Sequence, residues 1–253
     1  MMKDLQKASM LKRISAWLLD LIVLLVLASG FGLVLSEILD YDDHSNALFG
    51  YYEQYEKEYG VDFDATAEDL SKMTEEERAR YDAASKALLS DKGATDAYSM
   101  VISLSLLIVS ISILLAYLVA EFAIPLMLKN GQTLGKKVFG IALMRADGIR
   151  LTPFMLFIRT VLGKYTIETM IPVMAVSMIL LGTMGGVALG ALLVILVAEI
   201  VLMIRSGTNS TIHDYMSATV AVDMASQMIF DSPEALMAYT QQIHAEKVKK
   251  QSY

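Results

Sequence analysis

One apolar run constrains this chain more than anything else in it. Residues 13–39 read RISAWLLDLIVLLVLASGFGLVLSEIL. About 20 residues of helix cross ~30 Å of hydrocarbon, so the run is long enough to span a bilayer. It also holds a carboxylate, Asp20. Such a group costs roughly 2.5 to 3.5 kcal/mol at mid-membrane and therefore faces a protein interior or an ion path. Arg13 opens the same run, and Asp214 follows the last apolar run of the chain.

The apolar residues gather in runs of this kind and make up 55% of 253 residues, with a mean hydropathy of +0.49. That pattern predicts an all-α polytopic membrane protein with four transmembrane helices. The spans are predicted at about 14–39, 100–128, 168–181 and 186–204. The third is short unless 154–167 leads into it. Asp20 interrupts what would be the apolar core of a signal peptide, which favours an uncleaved first span. Three segments follow from this reading. Residues 1–39 hold the head and first helix, 40–99 an acidic helical extracytoplasmic insert, and 100–253 the remaining spans with a cytoplasmic loop and tail.

Lysine and arginine set the orientation. Lys3, Lys7, Lys12 and Arg13 stand at the head. Lys129, Lys136, Lys137, Arg145 and Arg150 follow the second span, and Arg159 and Lys164 come next. Arg205, Lys247, Lys249 and Lys250 are in the tail. Four spans place all of them on one side, predicted to be cytoplasmic together with both termini.

The insert carries 16 Asp and Glu against 6 Lys and Arg. Thr66 and Thr74 each precede an acid three residues on, a capping-box pattern that predicts short helices. The segment reads either as a solvated acidic cap or as a docking surface for a membrane or extracytoplasmic protein through Phe49, Tyr51, Tyr52 and Tyr55.

The loop after the second span is NGQTLGKKVFGIALMRADGIRLT. Gly131 and Gly135 suit turns or close backbone approach. VFGIALM is rich in β-formers, and Asp147-Gly148 is a turn signal. A similar phrase at 219–224 predicts a small cytoplasmic β element. A phosphate loop is excluded, because no Ser or Thr follows Lys136 and an apolar helix precedes the loop. The Lys136–Lys137 pair is instead expected to meet anionic headgroups.

These pieces together resemble the RDD family of small bacterial membrane proteins, named for one Arg and two Asp. The resemblance rests on Arg13-x-x-Ala16-x-x-x-Asp20, on Gly131-Gln-Thr133-Leu-Gly135-Lys136 with Gly140-Ile141 and Asp147-Gly148, and on His213-Asp214 with Thr219. Arg13, Asp20 and Asp214 carry over as the family triplet. Ala218 departs from the pattern, standing where Gly is usual before the Thr. The long insert is a second departure. The resemblance implies a bacterial cytoplasmic membrane. Because some members have been proposed as cation/proton antiporters, it also implies monovalent cations and protons as ligands.

Residues seven apart share a helix face, so Arg13 and Asp20 point the same way, about 10 Å apart along the axis. Arg13 and Asp214 are expected to pair at the inner interface, leaving Asp20 deeper and in need of a polar partner or a proton. The triplet then reads either as a clamp between helices or as an ion site, with Glu121 or Glu199 joining Asp20. His213 beside Asp214 is expected to lie on an extended segment, the two side chains pointing apart with no third ligand near. No nucleophile–base set, metal cluster, cofactor motif or nucleic-acid surface stands out, so an enzyme is not expected. A homo-oligomer stays open, since LGTMGGVALG permits close helix packing. The tail, from Ser232-Pro233-Glu234, is predicted to be a helix packed on the inner sheet.

Overall fold

A computed structural model describes residues 5–128 and 130–251, with side chains to residue 248. Lys3 and Lys129, and the side chains of Lys249 and Lys250, lie outside what is described. Twelve α-helical segments and two strands are present among the described residues. Three helices are long and apolar enough to cross a membrane: Met10–Ile38 (α1), Lys92–Met127, and Gly185–Arg205. The chain divides into two compact units. Ser29–Ser112 form one, and the rest of the described chain forms the other.

The smaller unit is built on α2 (Tyr41–Tyr59), α3 (Ala67–Lys72) and α4 (Glu75–Ser90), with the adjoining ends of α1 and of α5 (Lys92–Tyr117). Thr66 and Thr74 make the reciprocal capping boxes read from the sequence, with Asp69 and Glu77. Three of the four aromatic residues expected at a docking surface are used inside the unit. Tyr52 meets Phe63 edge-on at 5.7 Å, and the Tyr55 hydroxyl donates to Asp91 at 3.0 Å. Tyr51 stands against Gly93, where its ring carbon Cζ would lie 2.9 Å from an added Cβ. Phe49 stays exposed.

In the larger unit, α5 continues through a π-helical stretch (Leu118–Ala123) into α6 (Ile124–Met127). Pro125 explains the wide turn, because it has no N–H for the carbonyl of Glu121, four residues earlier. The Thr160 hydroxyl donates to that carbonyl instead, at 2.9 Å. After α7 (Leu134–Val138) and β1 (Ile141–Arg145), α8 (Pro153–Phe157) runs through a second π-helical stretch (Ile158–Met170) into α9 (Ile171–Leu180). Pro172 removes the donor for the Glu168 carbonyl in the same way. The predicted third span thus corresponds to α9 with a long lead-in. That lead-in carries buried Arg159 and Lys164, so it is not one of the three long apolar helices. The predicted last span corresponds to α10 (Gly185–Arg205), which packs along α9.

The two-stranded sheet pairs β1 antiparallel with β2 (Thr219–Asp223), Ile141 opposite Asp223 and Arg145 opposite Thr219. Asp147-Gly148 does form a tight turn, with Gly148 at φ 93° and its N–H on the Arg145 carbonyl. The partner of β1 nevertheless comes from the far end of the chain. Both faces of the sheet are covered. Ile141, Leu143 and Ala221 pack with Ala8 and Ala16 of the N-terminal segment, and Ala142, Met144, Val220 and Val222 with Leu5 and Ile229. Alternate residues face alternate sides, so one short sheet anchors two apolar clusters. The tail helix α12 (Pro233–Gln251) is capped by Ser232 through the Ala235 N–H, and Tyr239 rests on Phe230 with ring centroids 5.2 Å apart.

Each strand is preceded by the same local unit. Thr133 and Thr211 cap α7 and α11 (Ile212–Met216). Two residues before each Thr stands a residue with positive φ, Gly131 at 61° and Asn209 at 52°. Seven residues after each Thr stands another, Gly140 at 65° and Ala218 at 51°, and the strand begins next. The third residue after each cap is Lys136 in one unit and Asp214 in the other. The fold therefore holds two cap–turn–strand units joined through their strands, with opposite charges at equivalent points.

Ala218 carries backbone strain that Gly140 avoids. A left-handed conformation costs an L-residue roughly 1 to 2 kcal/mol. Ala218→Gly should therefore raise the stability of the purified protein by up to about 1 kcal/mol, read as a higher thermal midpoint in detergent. A lower midpoint would show that the strain at this turn is relieved in some other way.

Candidate functional site

The site is an ion-pair network where α1, the two π-helical stretches, α7 and α11 converge. Asp214 is its first node. It sits at the third position of α11, 1% exposed, and its Oδ2 accepts from the Thr211 N–H at 3.2 Å. Arg13 Nη2 reaches the same oxygen at 2.9 Å, and Arg159 Nη1 pairs with Oδ1. Arg13 Nη1 also donates to the Asn209 carbonyl at 2.7 Å, and Arg159 Nη1 to the Thr219 hydroxyl at 2.6 Å. Burial alone would raise the Asp214 carboxyl. Arg159 beside it, with Arg13 adding to the effect, holds it well below the usual carboxylate range.

Asp20 is the second node. Thr133 donates its hydroxyl to Oδ2 at 2.5 Å, and the Gly135 N–H donates to Oδ1 at 2.7 Å. The Lys136 ammonium stands 3.6 Å from the same carboxylate and 3.8 Å from Glu121. Lys164 donates to Glu121 at 2.5 Å. Burial pushes the Lys136 amine down to about 8, against the pull of Glu121.

The second cap–turn–strand unit repeats this arrangement. The N–H of His213, equivalent in position to Gly135, donates to Glu168 Oε1 at 2.9 Å. The His213 Nδ1 lies 2.6 Å from Glu168 Oε2. Burial and Arg159 push the His213 imidazole down to about 4, so at neutral pH it is uncharged and donates from Nδ1. Both units thus offer the N–H at the second position of a short helix to a carboxylate from a long one.

A cavity of about 190 Å³ opens beside the network. Arg13, Asp20, Lys136, Arg159, Lys164 and His213 are among its lining residues. Chemically, the arrangement offers two buried carboxylates sharing one amine next to open space, and a carboxylate locked between two guanidinium groups.

The RDD family model matches residues 7–218, the bulk of this chain. The chain belongs to the RDD family. No curated protein and no solved structure matches it significantly. With its long apolar helices, this RDD protein is a membrane protein.

The RDD triplet divides between two places. Arg13 and Asp214 meet, while Asp20 joins Thr133, Gly135 and Lys136. Glu121 belongs with Asp20 through Lys136. Glu199 does not join them and accepts the Ile212 N–H at 3.3 Å. Lys136, expected to meet headgroups, is 9% exposed and turned inward, whereas Lys137 is exposed. Asp147 pairs with Arg145 on the surface at 2.6 Å and is apart from the network. His213 and Asp214 lie on a helical turn, not on an extended segment, because Thr211 caps it.

Sequence reasoning used Arg159 and Lys164 only as topology charges and passed over Glu168 as a ligand. A signal for two of the carboxylates was present. Glu121-Phe-Ala-Ile-Pro125 and Glu168-Thr-Met-Ile-Pro172 share the pattern Glu-x-x-Ile-Pro, and each places its Glu in a π-helical stretch. Such stretches recur at functional sites.

Proposed function

We propose that this RDD protein exchanges a monovalent cation for a proton at the Asp20–Lys136–Glu121 group. The observation that carries the reading is the Lys136 ammonium, held between two buried carboxylates at 3.6 and 3.8 Å and lining a cavity. When Lys136 is protonated, it and Lys164 balance Asp20 and Glu121. Loss of the Lys136 proton leaves one negative charge uncompensated, and a small cation takes the place of the ammonium. One proton leaves for each cation bound, so the charge of the site is conserved. The accompanying topology has four crossings, with the helical path Pro153–Leu180 as the third, and both termini on the cytoplasmic side of a bacterial membrane.

Lys136 holds its proton below about pH 8 and releases it above. Exchange should therefore rise with pH through that value. The test is sodium- or potassium-driven proton flux in proteoliposomes, for wild type, Lys136→Met and Asp20→Asn, each first shown to be monodisperse. Wild type should show coupled flux with this pH dependence, and both variants should lose it. Absence of flux in folded wild type, or an unchanged pH profile in Lys136→Met, would refute the exchange. In that event the Asp20 contacts to Thr133 and Gly135 are a clamp between α1 and α7, and the exposed insert becomes the place to look for an accessory partner.

A further inference from the structure

The cavity beside the arginines has features beyond the Lys136 group that cation exchange uses. Arg13, Lys136, Arg159 and Lys164 line it, and among the described residues Asp20 is the one lining carboxylate. Glu121 and Asp214, which pair with Lys164 and Arg159, are not part of the lining. The wall facing the open space is therefore positive.

Arg159 is 2% exposed, and its Nε is a buried donor without an acceptor. Among the described residues no other buried side-chain nitrogen or oxygen is left in this state. Buried donors are almost always satisfied, so the Arg159 guanidinium, which lines the cavity, keeps one N–H that its protein partners do not use.

The rest of the lining is apolar and includes Ile14, Trp17 and Met203. Ile14 and Trp17 are 50% and 57% exposed on α1, so the cavity is continuous with the apolar flank of a long helix. A matching ligand has a compact anionic head and an apolar body. Guanidinium groups match the oxygens of a phosphate in both geometry and charge. A lipid presents that group at the depth where a helix such as α1 meets the membrane surface.

We propose that this cavity binds the phosphate group of an anionic phospholipid, the head against Arg159 and Arg13 and the acyl chains leaving past Ile14 and Trp17. The proposal does not rest on cation exchange, and its readout is binding rather than flux.

Trp17 is the single tryptophan of the chain and lines the cavity, so its emission reports occupancy directly. Purified protein in maltoside micelles is titrated with phosphatidylglycerol, phosphatidylcholine or inorganic phosphate. The expected result is a saturable change with phosphatidylglycerol and a response at least about tenfold weaker with phosphatidylcholine. Equal responses to the two lipids, or no saturable response to any additive, would overturn the site. Full reproduction of the change by inorganic phosphate at the same concentrations would overturn the lipid as its source and make it a free-phosphate site.

Asn209→Asp changes a cavity-lining side chain and keeps the backbone carbonyl that Arg13 uses. Asn209 lines the cavity at φ 52°, a conformation that Asp also tolerates. The added carboxylate should weaken phosphatidylglycerol binding about tenfold or more through like-charge repulsion. Unchanged affinity in this variant would also refute the proposal.

Discussion

Asp214→Ala should remove about 3 to 5 kcal/mol of stability, the usual consequence of stripping the partner from a buried charge. Two guanidinium groups lose their carboxylate at once, and Arg159 is 2% exposed. The same substitution removes the acceptor for the Thr211 N–H and with it one half of the α11 capping box. Domains commonly hold only about 5 to 15 kcal/mol in all, so the variant should lose much of its folded fraction. Thermal unfolding in detergent, followed with size-exclusion profiles, measures the change. Asp214→Asn retains an oxygen for the cap and should fall between wild type and Asp214→Ala. Arg13→Met should cost less than either, because the Arg159 pair survives and the Arg13 side chain is 15% exposed. A loss below about 1 kcal/mol in Asp214→Ala would mean that the two arginines find other partners and that Asp214 is not the node of the network.

Gly135→Ala and Gly163→Ala should each destabilise by about 1 to 3 kcal/mol or more, as overpacking does where the neighbours cannot yield. A Cβ on Gly135 would stand 2.9 Å from the Asp20 carboxyl carbon and closer still to the Ala16 carbonyl. Relief would require α7 to move away from α1, and that movement breaks the Gly135 N–H bond to Asp20. A Cβ on Gly163 would lie 2.7 Å from the Cα of His213, which is backbone and cannot rotate aside. Gly190→Ala is the control, since nothing lies within 4 Å of its added Cβ. Within α10 that change should be neutral or stabilising by up to about 1 kcal/mol. Equal midpoints for all three variants would show that the close approaches at Gly135 and Gly163 do not bear on stability.

The sequence makes the long apolar helices, the capping boxes of the insert and both strands readable, because each rests on a local period or a local cap. Residues 141–145 and 219–223 alternate sides within a sheet, and Thr66 and Thr74 act within one turn. The inward turn of Lys136 was not readable. Its direction depends on Asp20 and Glu121, residues distant in sequence, whereas charge counting treats every loop lysine alike. Arg159 and Lys164 were hidden for the same reason. They stand five apart, a spacing that a π-helical stretch can bring to one side and that an ordinary helical reading separates. The repeated Glu-x-x-Ile-Pro pattern was visible all along. Its meaning required knowing that a proline frees the carbonyl four residues earlier and widens the turn around it.

The Arg13–Asp214 pair joins residues 201 positions apart. Synthesis proceeds from the N-terminus, so the first long helix is made with its arginine and its aspartate both unpaired. Asp20 receives its partners when the 133–136 turn emerges, and Arg13 only after residue 214 has been made. Until residue 214 is made, the first helix carries an arginine whose carboxylate does not yet exist.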